Sequence, residues 1–167
     1  MPAFLPDKKI RSVLAVSPSW LGDAILSIPT LYGLRSLFPE ARLCVLAANT
    51  VIDVFRGVCC VDERIPFRRS RGLRRIGSLY TVSTMVRRKS FDAAVIMTRS
   101  AASALICLGA GIPQRIGVGG FAQRLLLSRE AGLPALSDGV HQADRYKRLL
   151  EPIGIASFPD RPRLAVP

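Results

Sequence analysis

The chain of 167 residues contains a single histidine, and it has half as many acidic residues as basic ones. Its 12 Asp and Glu residues stand against 24 Lys and Arg residues, which gives a formal net charge of +12. That histidine, His141, precedes the last predicted helix, and the sequence places no nucleophile–acid pair or metal-ligand cluster with it. The sequence therefore does not support a serine-hydrolase or zinc-enzyme function. The excess of positive charge predicts an anionic partner: nucleic acid, a phosphorylated small molecule or membrane head groups.

Cysteine is scarce, and no C-x-x-C spacing occurs. Cys59 and Cys60 are adjacent, which suits neither an ordinary disulfide nor a tetrahedral metal site. We therefore expect all four cysteines to be small buried apolar side chains in a reducing compartment. The four are Cys44, Cys59, Cys60 and Cys107.

Long apolar runs and nucleotide-binding glycine motifs are also missing. The longest nearly uncharged stretch, 100–113, is too short to span a bilayer and is interrupted by Gly109 and Gly111. The glycines at 117, 119 and 120 fit neither G-x-G-x-x-G nor a P-loop. We predict a cytoplasmic protein without a dinucleotide-binding fingerprint in this stretch of sequence.

Apolar patterning predicts alternating strands and helices. The predicted strands are 12–16, 43–47, 58–65, 92–97 and 115–118, and the predicted helices are 22–38, 51–55, 70–88, 101–108 and about 142–152. Continuous apolar strands that alternate with helices indicate an α/β fold with a parallel sheet covered by helices on both faces. We expect a loose leader at 1–9 and one domain at 10–154. The prolines at 159, 162 and 167 predict a linker at 155–167 toward a further domain.

Asp23 is the strongest candidate for a catalytic residue. The strand predicted at 12–16 runs into a turn, and Asp23 lies in the first turn of the following helix. Ligands of open α/β sheets bind outside the carboxyl ends of the strands, where this acid is placed. A structural explanation is also available, because acids in first helical turns complement the helix dipole. The functional interpretation is a general base that accepts a proton from a nucleophilic hydroxyl.

A second feature is a basic run without any acid. Between positions 64 and 89 the chain carries Arg64, Arg68, Arg69, Arg71, Arg74, Arg75, Arg87, Arg88 and Lys89. A solvated helix face would normally mix both signs of charge. Nucleic-acid binding is disfavoured because there is no recognition motif and no aromatic residue is interleaved as a stacking platform. Because the guanidinium fork suits phosphate, the run predicts a discrete polyanionic substrate, either free or held at a membrane surface.

Several segments resemble the lipopolysaccharide heptosyltransferases, particularly those of the heptosyltransferase II type. The most specific is Ser-Pro-Ser-Trp-Leu-Gly-Asp-Ala-Ile-Leu-Ser-Ile-Pro at 17–29, together with Ala-Gly-Ile-Pro-Gln-Arg-Ile-Gly at 110–117. Further similar segments follow the same order along the chain, at 34–41, 65–67, 91–95, 103–105, 141–142 and 145–146.

The resemblance implies the N-terminal, Rossmann-like half of a GT-B glycosyltransferase of family 9. It implies an inverting, metal-independent transfer of heptose from ADP-L-glycero-D-manno-heptose to the lipopolysaccharide inner core, with Asp23 as the base and no cofactor. Ser17, Ser19 and Gly22 would contact the donor sugar. The acceptor side would comprise Trp20, Arg68, Arg69, Arg71, Arg99 and Ser100. The partners implied are the anionic core acceptor and the cytoplasmic face of the inner membrane, with no nucleic acid.

The segment 98–105 departs from the family pattern, because Arg99, Ala101 and Ala102 replace asparagine, aromatic and basic positions. The acceptor side of the cleft is therefore expected to differ. The resemblance also implies a donor-binding C-terminal domain, on a second chain if not on this one, and we expect little transfer without it. Two other functions stay open: a non-catalytic domain that binds anionic glycolipid, and a basic nucleic-acid-binding domain.

Overall fold

The computed structural model describes residues 10–68, 70, 74–117, 120–131, 146, 149 and 150. The predicted leader, the predicted linker and most of the helix predicted at 142–152 lie outside these residues. The described strands are β1 (Ser12–Val16), β2 (Arg42–Ala48), β3 (Glu63–Phe67), β4 (Ala93–Ile96), β5 (Gln114–Gly117) and β6 (Arg129–Glu130). They form one parallel sheet of six strands in the order β3-β2-β1-β4-β5-β6. This is the strand order of a Rossmann sheet, so the predicted fold class is confirmed.

Helices cover both faces of the sheet. They are α1 (Leu21–Leu26), α2 (Ile28–Leu37), a 3₁₀ helix (Ile52–Gly57), α3 (Arg74–Arg87), α4 (Ala101–Gly109) and α5 (Phe121–Arg124). Successive side chains of a strand point to opposite faces. Val13 and Ala15 accordingly pack with α1, α2 and the 3₁₀ helix, whereas Leu14 and Val16 pack with α3 and α4. The two apolar cores explain why the strands lack a polar face.

The helix predicted at 22–38 is two helices, so that prediction is wrong in its continuity. Ser27 ends α1: its backbone N–H donates to Asp23 O at 3.0 Å and its hydroxyl donates to Ala24 O at 2.7 Å. Pro29 follows at the start of α2 and has no N–H to donate to the preceding turn. The apolar face is nevertheless as predicted, with Ile28, Leu31 and Leu34 fully buried.

The strand predicted at 58–65 is shorter and begins later. Val58 and Val61 donate their backbone N–H groups to Phe55 O and Val58 O, which are turn interactions, and β3 starts only at Glu63. The buried residues of this turn, Val58, Cys60 and Val61, mimic a strand in sequence. The other bounds lie close to the predicted ones, and α5 and β6 were not predicted. The start of the helix predicted at 70–88 is not tested, because 71–73 lie outside the described residues.

Side-chain bonds close the amino-terminal edge of the sheet. The Asp92 carboxylate accepts hydrogen bonds at 3.0 Å from the Arg11 N–H, the Ser12 N–H and the Ser12 hydroxyl. Asp62 accepts from the Leu43 N–H at 2.6 Å and pairs with Arg35 at 2.5 Å. Although partial burial opposes it, these bonds hold the pKa of Asp62 below its usual range. Each acid therefore joins two segments of chain that are distant in sequence.

Three of the four cysteines are buried, and Cys59 is exposed, so the expectation of burial is wrong for that residue. Burial raises the pKa of Cys107 to about 12 and the pKa values of Cys44 and Cys60 to about 11. Crossing a bilayer takes about 20 apolar residues, and no helix in the described part of the chain meets that requirement.

Candidate active site

The candidate site lies where the direction of the strand order reverses. From β1 the chain proceeds to β2 and β3 on one side, and from β4 it proceeds to β5 and β6 on the other. The carboxyl ends of β1 and β4 are adjacent, and the Met97 N–H donates to Val16 O at 3.0 Å. A crevice at such a reversal is the usual ligand site of an open α/β sheet. The turns 17–23 and 97–100 therefore border one crevice.

The turn after β1 presents an exposed aromatic residue at the start of α1. Trp20 is the N-cap, with φ −95° and ψ 138°, and 78% of its surface is exposed. The neighbouring Leu21 is also exposed. Two large apolar side chains are thus exposed here in the part of the chain that the structure describes, which suits contact with a ligand.

Asp23 lies in the first turn of α1 and is half-buried. Its carbonyl accepts the bond from Ser27, but no described residue donates a hydrogen bond to its carboxylate or forms an ion pair with it. The helix-dipole explanation accounts for an acid at this position but supplies no side-chain contact. The carboxylate is thus available to a ligand at the border of the crevice.

The residues predicted to contact the donor sugar differ in accessibility. Ser17 is 2% exposed, and its hydroxyl donates to Pro18 O at 2.8 Å, so it stabilises the turn. Ser19 is half-buried and Gly22 is exposed. A Cβ added to Gly22 would contact nothing within 4 Å, so no protein contact requires glycine and the space beside it is open. Donor-sugar contact by these three residues stays a prediction.

The turn after β4 carries Arg99 and Ser100, both exposed. Ser100 is the N-cap of α4, and its N–H donates to the Thr98 hydroxyl at 2.9 Å. The amide of Gln123, which is 1% exposed, donates to Thr98 O at 2.9 Å. Gln123 therefore holds the turn that presents Arg99. The sequence did not predict Gln123, because α5 has only four residues, which are too few to show the apolar periodicity of a helix.

Arg68 follows β3 at the same edge of the sheet and is exposed, but β2 separates its strand from β1. Neighbouring strands lie about 4.8 Å apart, so Arg68 borders the site at a distance of two strands. Asn49 and Thr50 follow β2, the strand between β1 and β3. Both are exposed, and neither was predicted as a site residue. The rule that ligands bind at strand carboxyl ends could have found both. Arg69 and Arg71 lie outside the described residues.

The basic run does not form a single site. Arg68 is at the carboxyl-terminal edge, whereas Arg87 and Arg88 are exposed at the far end of α3. That end is the amino-terminal edge, because Lys89 pairs there with Glu63, the first residue of β3. A 14-residue helix is about 21 Å long. The run is therefore spread between the two edges of the sheet, and the binding of a discrete polyanion by Arg68, Arg69 and Arg71 stays a prediction.

No group of three or more His, Cys, Asp or Glu side chains that could hold a metal ion occurs in the described ranges. The chemistry available at the crevice is that of one carboxylate, exposed guanidinium groups, hydroxyls and an indole ring. This combination can accept a proton and bind an anionic, partly apolar molecule. Metal independence and the absence of a cofactor stay predictions.

Comparison with known proteins agrees with the motif resemblance. Lipopolysaccharide heptosyltransferase 2 of Escherichia coli K12 is 32% identical over 105 residues, covering 63% of this chain and 30% of the relative. The chain is homologous to heptosyltransferase 2. Lipooligosaccharide heptosyltransferase 2 of Haemophilus influenzae is 26% identical over 117 residues, covering 70% of this chain and 34% of the relative. The chain thus spans about a third of the curated relatives it matches, and no family model matches it.

Solved structures extend the similarity over the fold. The structure of E. coli ADP-heptose lipopolysaccharide heptosyltransferase II superposes with a TM-score of 0.76 at 27% identity, covering 93% of this chain and 47% of that one. A family 9 glycosyltransferase from Veillonella parvula has the same TM-score at 21% identity, covering 89% and 43%. The second likeness concerns the fold alone. The chain has the Rossmann-like fold of about half of a heptosyltransferase.

Proposed function

We propose that this chain forms the acceptor-side domain of an inverting glycosyltransferase that transfers heptose from ADP-heptose to the anionic lipopolysaccharide core. The observation that carries the proposal is the Asp23 carboxylate at the strand-order reversal, which has no hydrogen-bond or ion-pair partner among the described residues. The homology to heptosyltransferase 2 supports the reaction class and the substrates. A second Rossmann-like domain, on the same polypeptide or on another chain, would bind the nucleotide of the donor.

Asp23 acts as the general base in this proposal. Its carboxylate takes the proton of an acceptor hydroxyl as that oxygen attacks the anomeric carbon of the donor. The new carbon–oxygen bond forms as the bond from the anomeric carbon to ADP breaks, and ADP leaves with that electron pair. Attack opposite the leaving group inverts the anomeric centre. Such proton transfer by a positioned side chain contributes about 10²–10⁴-fold to a rate.

The acceptor is recognised by charge and by apolar contact. Arg68 and Arg99 are exposed at the two sides of the β1 turn and would bind acceptor phosphates, for which the guanidinium fork is suited. The exposed indole of Trp20 offers a flat apolar surface for a sugar ring. Arg69 and Arg71, which lie outside the described residues, are proposed to contribute positive charge to acceptor binding because they follow Arg68 closely in the sequence. A glycolipid acceptor places the reaction at the cytoplasmic face of the inner membrane, with this domain in peripheral contact.

The deciding experiment is Asp23→Asn in the full polypeptide that carries this sequence. We expect transfer to fall by about 10²–10⁴-fold because the amide cannot accept the proton. Acceptor binding should persist, and it can be followed in the present chain by the fluorescence of Trp20, its only tryptophan. The matched control is Asp53→Asn, an exposed acid of the 3₁₀ helix that pairs with Arg56.

Each alternative gives a different result. Transfer that survives Asp23→Asn contradicts the assignment of the base. Glycolipid binding without any transfer by the full polypeptide indicates a non-catalytic binding domain. A nucleic-acid-binding domain would bind duplex DNA at physiological salt in competition with lipopolysaccharide, under conditions where non-specific phosphate contacts weaken.

A further inference from the structure

The layer formed by α3 and α4 exposes an unusual amount of apolar surface. These helices pack against each other on one face of the sheet. Ile76 and Tyr80 are each 76% exposed, and Leu105 and Leu108 are each 43% exposed. They are four of the seven large hydrophobic side chains exposed among the described residues. Two of the other three, Trp20 and Leu21, belong to the candidate site.

The charges of the same layer all have one sign. Neither α3 nor α4 contains an acidic residue. Arg87 and Arg88 are exposed at the end of α3, and Ile76, Tyr80 and Arg87 share one side of the helix by their spacing. We refer to Ile76, Tyr80, Arg87, Arg88, Leu105 and Leu108 as the α3–α4 outer face.

The opposite helical layer has a different composition. There Asp53 pairs with Arg56, both largely exposed, and Glu40 is exposed after α2. Apart from Trp20 and Leu21 at the crevice, no large hydrophobic side chain of that layer is exposed among the described residues. Ordinary solvation accounts for a surface of mixed charge, but it does not account for the α3–α4 outer face.

We propose that the α3–α4 outer face docks on a bilayer that contains anionic lipid. Aliphatic and tyrosine side chains beside arginines, without acids, are the composition of an interfacial membrane surface. The four apolar side chains would enter the boundary between head groups and acyl chains. Arg87 and Arg88 would lie against lipid phosphates, and Tyr80 would keep its hydroxyl at head-group level.

Docking in this way would orient the candidate site. α3 begins shortly after Arg68, at the carboxyl-terminal edge of the sheet, and runs back toward the amino-terminal edge. A membrane along α3 would therefore have the crevice at the rim of the contact, within reach of a glycolipid head group. This consequence rests on the proposed function, whereas the docking itself does not.

The test places a fluorescent reporter on the face. In the present chain, Trp20→Phe combined with Tyr80→Trp leaves one tryptophan, on α3. Its emission should shift to shorter wavelength with vesicles of phosphatidylcholine and phosphatidylglycerol, and brominated acyl chains should quench it. The matched control is Leu125→Trp in the Trp20→Phe background, because Leu125 is 74% exposed outside the face. Its emission should not change.

Charge variants test the anionic part of the proposal. Each arginine near an anionic surface adds to the free energy of binding to the vesicle. Replacing both in Arg87→Gln with Arg88→Gln should therefore weaken vesicle binding by about 30-fold. Arg56→Gln, on the opposite layer, should leave binding unchanged. No shift of the Tyr80→Trp emission in a folded chain would overturn the proposal, and so would an equal shift with pure phosphatidylcholine. Normal vesicle binding by Asp23→Asn would separate this result from the test of catalysis.

Discussion

At the amino-terminal edge of the sheet the carboxylate of Asp92 accepts three hydrogen bonds. At the carboxyl-terminal edge no described residue donates a hydrogen bond to the carboxylate of Asp23 or forms an ion pair with it. The arginines differ in the same way. Arg42 donates to Lys89 O and lies 5.2 Å from the centre of the Phe91 ring, while Arg68 and Arg99 are exposed. Arg42 and Asp92 thus stabilise the amino-terminal edge, although Arg87 and Arg88 are exposed there, whereas Asp23, Arg68 and Arg99 have no described hydrogen-bond or ion-pair partner for their side chains at the other edge. In the proposed function, the carboxyl-terminal edge is the one that would bind ligand.

The largest effect on stability should come from the pair of aspartates. Asp92→Ala should lower the free energy of unfolding by about 2–3 kcal/mol, because it leaves the backbone N–H groups of Arg11 and Ser12 without their acceptor. Asp23→Ala should change it by less than about 0.5 kcal/mol, since no hydrogen bond or ion pair with a described residue is lost. Urea denaturation of both variants measures the difference. Equal losses of unfolding free energy in the two variants would contradict the distinction between a stabilising aspartate at one edge and one without a described partner at the other.

Gln123 and Gln114 provide a second comparison, with a smaller expected effect on the free energy of unfolding. Gln123→Leu should cost about 1–2 kcal/mol because Thr98 O loses its donor next to the crevice. The side-chain oxygens of Gln123 and Gln114 are both buried without a hydrogen-bond partner among the described residues. The two residues differ in their amide groups, because no described residue accepts a hydrogen bond from that of Gln114 in β5. Gln114→Leu should therefore be neutral or stabilising. Denaturation together with Trp20 fluorescence on acceptor binding would show whether Gln123 positions the turn, since only Gln123→Leu should alter binding.

The smallest expected effect on stability is that of the Glu63–Lys89 ion pair at the amino-terminal edge, and it depends on pH. The Lys89 ammonium beside Glu63 holds the pKa of that carboxyl below its usual range, and burial opposes the shift. Because the folded pKa is lowered, the stabilisation is present above the unfolded value of about 4.3 and is lost as pH falls through the folded pKa. The pair is partly exposed, so Glu63→Gln should cost only about 0.5 kcal/mol or less at pH 7.

The difference between Glu63→Gln and the unaltered chain should disappear in acid. Urea denaturation at neutral and acidic pH measures it. Lys89→Met provides the second arm of a double-mutant cycle, in which the coupling energy should vanish at low pH. A coupling that persists unchanged in acid would show that contacts other than the ion pair join β3 to the end of α3.

Much of this architecture could be predicted from local patterns, because apolar periodicity directly reports burial. The departures have both local and distant causes. The break of the helix predicted at 22–38 is local, because Ser27 bonds to Asp23 and Ala24. The turn at 58–62 buries Val58 and Val61 without pairing them in the sheet, so it mimics a strand. Gln123 could not be predicted, because its role depends on Thr98, which is 25 positions away.

The sequence by itself determined the parallel α/β fold and the motif that places Asp23 after β1, because strand periodicity and turn chemistry are local. It also determined the net charge of +12. Only the tertiary structure decided which charges are satisfied. Asp23 follows a strand and Asp92 precedes one, but neither local sequence shows whether the carboxylate has a partner in the fold. Pairing β4 beside β1 brings Ser12 to Asp92 at one edge and opens the crevice beside Asp23 at the other.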